Sequence, residues 1–193
     1  MSTCVIVAGT YRSGTSLLAR FLHESGVDMN PAGTNKDLPG WHPTGSYKDS
    51  ILECGEFKGW ESYFNSRNVS NVWGIKAHNL LFASKMLEDF LASCPAERCV
   101  LVWTMRNQLD AAKSWKSFRP DLSIEAATEK IGEQIGVINK MFEGWQDADK
   151  IVVNFPDTVT NAQEQLTSIT NLIGIPFSIE ACAHIRADIP RWS

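Results

Sequence analysis

The stretch Cys4-Val5-Ile6-Val7-Ala8-Gly9-Thr10-Tyr11-Arg12-Ser13-Gly14-Thr15-Ser16-Leu17-Leu18-Ala19-Arg20-Phe21-Leu22 decides the fold. Its apolar run from Val5 to Ala8 is short and rich in β-branched residues, the composition of a strand buried in a core. Leu17, Leu18, Phe21 and Leu22 then recur at helical spacing until Ser25-Gly26 stops the helix. A strand, a tight polar loop and a helix thus follow one another without a spacer. Glycines let the loop turn sharply, several N–H groups at the helix start face one concavity, and the helix adds about half a positive charge there. The loop is a candidate anion site.

Gly9-x-x-x-x-Gly14 fits the register of a Walker A loop, G-x-x-x-x-G-K-[ST], up to the lysine, whose position is taken by Thr15. Ser16 fills the Ser/Thr slot. The cation in the loop is Arg12, ahead of Gly14, so it approaches a bound anion from another side. Such a loop lacks the β/γ-phosphate clamp of a nucleotide triphosphatase. It keeps a cradle for a short phosphate and one arginine aimed at whatever that phosphate carries.

Further along, Val72-Trp73-Gly74-Ile75-Lys76 reads as a second strand, followed by a helix with Leu80, Leu81, Leu87, Phe90 and Leu91 on its apolar side. Lys76 then stands at the carboxyl end of a strand, the edge where open α/β sheets bind ligands; a solvated lysine and a ligand contact are both open readings. Arg98 to Met105 is a third strand, continuously apolar at its centre as a strand covered on both faces should be. Asn107 caps the next helix, with Asp110 placed to complete the cap. Ile124, Ala127, Ile131, Ile135, Ile138, Phe142 and Trp145 keep a three-four spacing that marks a long amphipathic scaffold helix from Ser123 to Trp145. Ile151 to Phe155 is a fourth buried strand. Leu166, Ile169, Leu172 and Ile173 form a helix ended by Gly174 and Pro176, and Ser178 caps the tail. This alternation predicts an α/β protein with a P-loop-like parallel sheet and helices on both faces. One domain over residues 1–193 is expected, with a loop-rich segment at about 27–70.

The composition sets outer limits. The chain has 193 residues, 44% hydrophobic and 21% charged, which suits a single globular core. A net charge of -4 argues against non-specific nucleic-acid binding, so a polyanionic cofactor must be held by local cations. Cys4, Cys54, Cys94, Cys99 and Cys182 show neither C-x-x-C spacing nor an even count, and read as reduced thiols of a cytoplasmic protein rather than a disulfide frame or zinc site. No stretch approaches the ~18 apolar residues of a membrane span, and Asn68-Val69-Ser70 reads as a chance sequon.

Arg12-Ser13-Gly14-Thr15-Ser16 after a strand resembles the 5′-phosphosulfate loop of sulfotransferases that use 3′-phosphoadenosine 5′-phosphosulfate (PAPS), in the form with arginine in place of lysine. Arg106-Asn107-Gln108-Leu109-Asp110, with Ser114 eight residues beyond the arginine, resembles the same family's 3′-phosphate site, Gln108 standing where the family has proline. His42-Pro43-Thr44-Gly45-Ser46-Tyr47-Lys48-Asp49 is partly similar to an Asn-Pro-x-Gly-(Tyr/Phe)-Phe-Glu-Asp stretch of bacterial members, with Lys48 at the glutamate position. Trp73-Gly74-Ile75-Lys76 resembles the start of their Trp-Gly-x-Lys-Asp-Pro-Arg segment.

The resemblance implies sulfuryl transfer from PAPS to a hydroxyl or amine by in-line displacement, with 3′-phosphoadenosine 5′-phosphate (PAP) as product and no metal. N–H groups of Ser13, Gly14, Thr15 and Ser16 hold the 5′-phosphate, and Arg12 stabilises the leaving group. Arg106 and Ser114 hold the 3′-phosphate, and Lys76 contacts the sulfate or the acceptor. Asp49, His42 or Glu53 takes the acceptor proton. Asp49 is equally a capping-box partner of Ser46, and His42 an ordinary loop histidine. Arg186 or Arg191 either reaches the 3′-phosphate or is ordinary surface charge, the reading their place in the tail favours. Trp41, Trp60, Tyr63 and Phe64 either line an acceptor site or pack the core. A small-molecule, carbohydrate or peptide acceptor fits. The competing readings are a P-loop kinase for a nucleotide or small molecule, and a PAPS- or PAP-binding module without catalysis.

Overall fold

The computed structural model describes residues 2–29, 58–67, 71–76, 84–145 and 149–188. The elements run β1 (Thr3–Gly9), α1 (Thr15–Glu24), α2 (Trp60–Ser66), β2 (Val72–Lys76), α3 (Ser84–Ser93), β3 (Arg98–Met105), α4 (Gln108–Phe118), α5 (Ile124–Gly144), β4 (Asp149–Asn154), α6 (Phe155–Thr160), α7 (Ala162–Ile173) and α8 (Ile179–Asp188). The four strands form one parallel sheet in the order β2-β1-β3-β4. The α/β single-domain class expected from the alternation is the one found.

Strand alternation sends successive side chains to opposite faces. Val5 and Val7 of β1 and Val100 and Val102 of β3 join α1 (Leu18, Phe21, Leu22), α7 (Leu166, Ile169) and α8 (Ala181, Cys182) on one side. Cys4, Ile6 and Leu101, with Trp73 and Ile75 of β2, face α2 (Tyr63, Phe64) and α3 (Leu87, Phe90) on the other, with Met141 and Phe142 of α5 packed against them. Burying a side chain such as Phe21 or Leu101 contributes about 2 kcal/mol. This two-sided burial is why β1 and β3 read as unbroken apolar runs.

Caps mark the helix ends as the residue types require. Asn107 Oδ1 accepts from the N–H groups of Leu109 and Asp110 at 3.0 and 3.3 Å. Ser123 Oγ accepts from Ala126 N–H and Ser178 Oγ from Ala181 N–H, each at 3.1 Å. Gln108, at the proline position of the resemblance, donates to Thr128 O at 2.7 Å and ties α4 to α5.

Three features depart from the reading of the sequence. The fourth strand stops at Asn154, and Phe155 opens α6, whose first turn holds Pro156; the ring's fixed φ suits that position. Helix α2 lies inside the stretch taken as loop-rich, and its Tyr63 and Phe64 are core residues: Phe64 meets Trp73 and Phe90 with ring centroids 5.8 and 5.5 Å apart. Finally, Arg67 is buried after α2, where it donates to Tyr63 Oη at 3.0 Å, Gly74 O at 3.2 Å and Asp28 O at 2.8 Å. It fastens that helix to β2 and to the chain leaving α1. The helix expected from Ser46 lies outside the described residues.

Candidate functional site

The strand order creates the site. Helix α1 leaves β1 towards one face of the sheet, while α5, reached from β3 through α4, covers the other. The chain therefore parts between the carboxyl ends of β1 and β3, the crevice in which open α/β sheets bind ligands. Gly9-to-Ser16 and Arg106 meet there.

The loop is built from inside. Ser13 is fully buried, its hydroxyl donating to Thr10 O at 2.8 Å and lying 2.9 Å from Thr104 Oγ1, which in turn lies 3.2 Å from Ala8 O. Ser13 N–H also closes on Thr10 O at 3.3 Å. Both polar groups of Ser13 thus brace the loop. Gly14 has φ 94°, a left-handed conformation, and precedes α1 with no side chain to cap that turn. A Cβ on Gly14 would strike the ring of Phe155, and one on Gly9 would strike the side chains of Thr104 and Ser13. On the outer side, Tyr11 N–H donates to Oε1 of buried Gln134 at 3.1 Å, and the Tyr11 ring lies 4.5 Å from that of Trp115.

Arg12 has φ 64°, left-handed for a residue with a side chain. The turn carries its guanidinium to α4, where Nε donates to Ser114 Oγ at 3.1 Å and the charge lies 5.4 Å from the Phe118 ring centroid. Arg106 follows β3, donates from Nη1 to Arg12 O at 3.3 Å and lies 5.0 Å from the centroid of Phe155. Burial, and then the charge of Arg106, lowers the pKa of Arg12; burial also lowers that of Arg106, against a smaller opposing effect of Asp110. Two partly desolvated guanidiniums repel one another in this crevice, an arrangement that an anion between them would relieve.

Lys76 ends β2 and is 3% exposed, so it is not a solvated lysine. Its Nζ donates to Ser16 Oγ at 2.8 Å, beside the first turn of α1. Of the sequence-predicted residues, Arg12, Ser13, Gly14, Thr15, Ser16, Lys76, Arg106 and Ser114 gather at this end of the sheet. His42, Asp49, Glu53, Trp41 and Arg191 lie outside the described residues. Thr104, Gln134, Phe118 and Phe155 support the site and were missed. Their positions in other elements carry no local motif, although the break of the fourth strand at Asn154-Phe155-Pro156 signals the one nearest the loop.

No protein-family model matches the chain, and no curated protein sequence matches it. Solved structures do. The sulfotransferase domain from the Synechococcus PCC 7002 olefin synthase superposes with a TM-score of 0.70 at 15% identity, over 95% of this chain and 77% of that one. Sulfotransferase STF9 from Mycobacterium avium gives 0.62 at 14% identity, over 98% and 68%. Mouse sulfotransferase SULT7A1, solved with PAP, gives 0.59 at 16% identity, over 97% and 64%. With its parallel sheet, its helices on both faces and its β1-loop-α1 crevice, this chain has the fold of those sulfotransferases.

Proposed function

We propose that the protein transfers a sulfuryl group from PAPS to the hydroxyl or amine of a small-molecule, carbohydrate or peptide acceptor. The observation that carries the proposal is the convergence of Arg12, Arg106 and Ser114, which links the candidate 5′ and 3′ phosphate motifs within one crevice. An adenosine with phosphates at both ends needs two such sites; ATP needs one.

In this reading the N–H groups of Gly14, Thr15 and Ser16 hold the 5′-phosphate on the positive end of α1. Arg106 pairs with the 3′-phosphate through two nitrogens. Ser114 accepts from Arg12, so its own proton is available for donation to the same phosphate. Arg12 stabilises the charge that grows on the bridging oxygen as the S–O bond breaks, and Lys76 neutralises the sulfuryl oxygens from the β2 side. The acceptor proton goes to Asp49 or His42. In a Walker loop the hydroxyl at the Ser16 position ligates Mg²⁺; here it accepts from the Lys76 ammonium, which favours sulfuryl transfer without a metal over the kinase reading.

The test has two stages. Thermal stabilisation by PAP is compared with that by Mg-ATP, and labelled PAPS is then offered to sugars, phenols, lipids and tyrosine peptides. PAP is expected to raise the melting temperature more than Mg-ATP does, and label is expected on one acceptor class. Arg106→Ala should weaken PAP by about 10–100-fold, the worth of a charged hydrogen-bonded contact. Equal PAP affinity in that variant removes the 3′-phosphate role; PAP binding without transfer to any acceptor identifies a binding module.

A further inference from the structure

Cys94 and Cys99 stand five residues apart and Cys4 lies 90 residues before Cys94, yet the three sulfur atoms all lie within 4.8 Å of one another. Cys4 and Cys99 are register partners on adjacent parallel strands, near the amino ends of β1 and β3. Alternation turns both side chains to the α3 side of the sheet. Cys94 follows the last residue of α3 and bonds back to it, its N–H donating to Leu91 O at 3.4 Å. The segment between Cys94 and Cys99 is fixed to the start of the chain: Glu97 N–H donates to Ser2 Oγ at 3.2 Å and Arg98 N–H to Ser2 O at 3.1 Å.

We propose that these three thiols form a site for a soft d¹⁰ cation, Cu(I) or a Zn(II)-class ion, bound as a tris-thiolate. The donor set is all sulfur, which selects thiophilic ions over Mg²⁺ or Ca²⁺. Metal–sulfur bonds of about 2.3 Å need sulfur atoms roughly 4 Å apart, a spacing the cluster reaches without moving the sheet. Cys4 is fully buried, Cys94 and Cys99 are half-buried, and the surrounding core includes Tyr63, Phe64 and Phe90, so the inner side of the site is dry while its outer side remains open to entry. Binding forms three metal–sulfur bonds and releases thiol protons to solvent, so affinity rises with pH.

Cys4 stands five residues before Gly9, about 16 Å along the strand. The ion is therefore a brace between α3 and the sheet, separate from sulfuryl transfer. It explains why three thiols converge on one point of an otherwise aliphatic and aromatic core.

The experiment uses the full chain, reduced and kept anaerobic. In one arm Cu(I) is supplied as its acetonitrile complex against a coloured Cu(I) chelator. In the other, Cd(II) stands in for Zn(II), and its sulfur-to-metal charge-transfer absorption is read. One equivalent of at least one ion should be retained and should raise the melting temperature. Cys94→Ser and Cys99→Ser, at the two half-buried positions, should each weaken retention by about 100-fold or more, since even partners outside the ligand set are worth 10–100-fold. Cys182→Ser should leave it unchanged. Retention in the Cu(I) arm alone assigns a monovalent ion; retention of Cd(II) with its sulfur absorption assigns the Zn(II) class. If the native chain retains neither ion, or Cys94→Ser and Cys99→Ser retain as much as the native chain, the proposal is wrong.

Discussion

Arg12 Nε donates to the hydroxyl of Ser114 at 3.1 Å, across 102 residues of chain. The bond joins the loop after β1 to the helix after β3, so the two halves of the candidate cofactor site are not independent. Coupling of this kind is measurable as non-additivity. In a cycle of Arg12→Ala, Ser114→Ala and the double variant, the loss of PAP affinity in the double variant should fall short of the summed single losses by about 1 kcal/mol, roughly fivefold in affinity. Calorimetric titration with PAP reads it directly, and strict additivity would show that the bond has no energetic consequence.

Arg12 also carries backbone strain, because its φ of 64° costs a residue with a side chain about 1–2 kcal/mol that glycine avoids. Charge and strain separate by substitution. Both Arg12→Ala and Arg12→Gly should lose about 10²–10³-fold in turnover, the worth of one preorganised electrostatic group. Arg12→Gly should nevertheless be the more stable of the two by about 0.5–1 kcal/mol in urea, after allowing for glycine's extra freedom when unfolded. The opposite order would mean that the left-handed turn is not retained in solution.

Gly14 is constrained twice, by φ 94° and by the Phe155 ring that occupies the space of a Cβ. Gly14→Ala is expected to destabilise by about 2 kcal/mol or more, from backbone strain and overpacking together. Phe155→Ala opens a cavity in the native loop and is destabilising by itself. Combined with Gly14→Ala it should cost less than the sum, since the added methyl then has room while the strain persists. Denaturant midpoints of the four proteins test this, and additive losses would place the ring elsewhere.

The contrast between the loop and its supports explains what the sequence could show. Gly9, Arg12, Gly14 and Ser16 were legible because a strand, a turn and a helix start are local events, each with its own residue signature. β1 and β3 were legible because a strand covered on both faces is apolar through its centre. Arg67 was not, since an arginine that satisfies Tyr63, Gly74 and Asp28 in the core looks like any surface cation until those partners are assembled. Ser13 was legible as a loop residue but not as a brace, because its partner Thr104 lies 91 residues away. Cys4 escaped as a neighbour of Cys94 and Cys99 for the same reason: strand order brings it beside Cys99, which spacing along the chain does not encode.

Lys76 turns strand order into chemistry. Sheet pairing sets β2 beside β1, with Lys76 opposite Val7, and Nζ then reaches Ser16 Oγ at 2.8 Å. In the proposed reaction, an ammonium fixed there would supply the positive charge that a divalent ion supplies in a Walker site, with no reorganisation during transfer. Met keeps the length of the side chain and removes the charge. The exchange also deletes the bond to Ser16 Oγ, worth about 1.5–3 kcal/mol. Lys76→Met should therefore melt somewhat lower than the native protein and also lose about 10²-fold in transfer from PAPS. Transfer by the native chain should persist in excess EDTA. A lowered melting temperature with native turnover would make Lys76 a structural strut, whereas loss of transfer in EDTA, restored by Mg²⁺, would return the kinase-like reading of the loop.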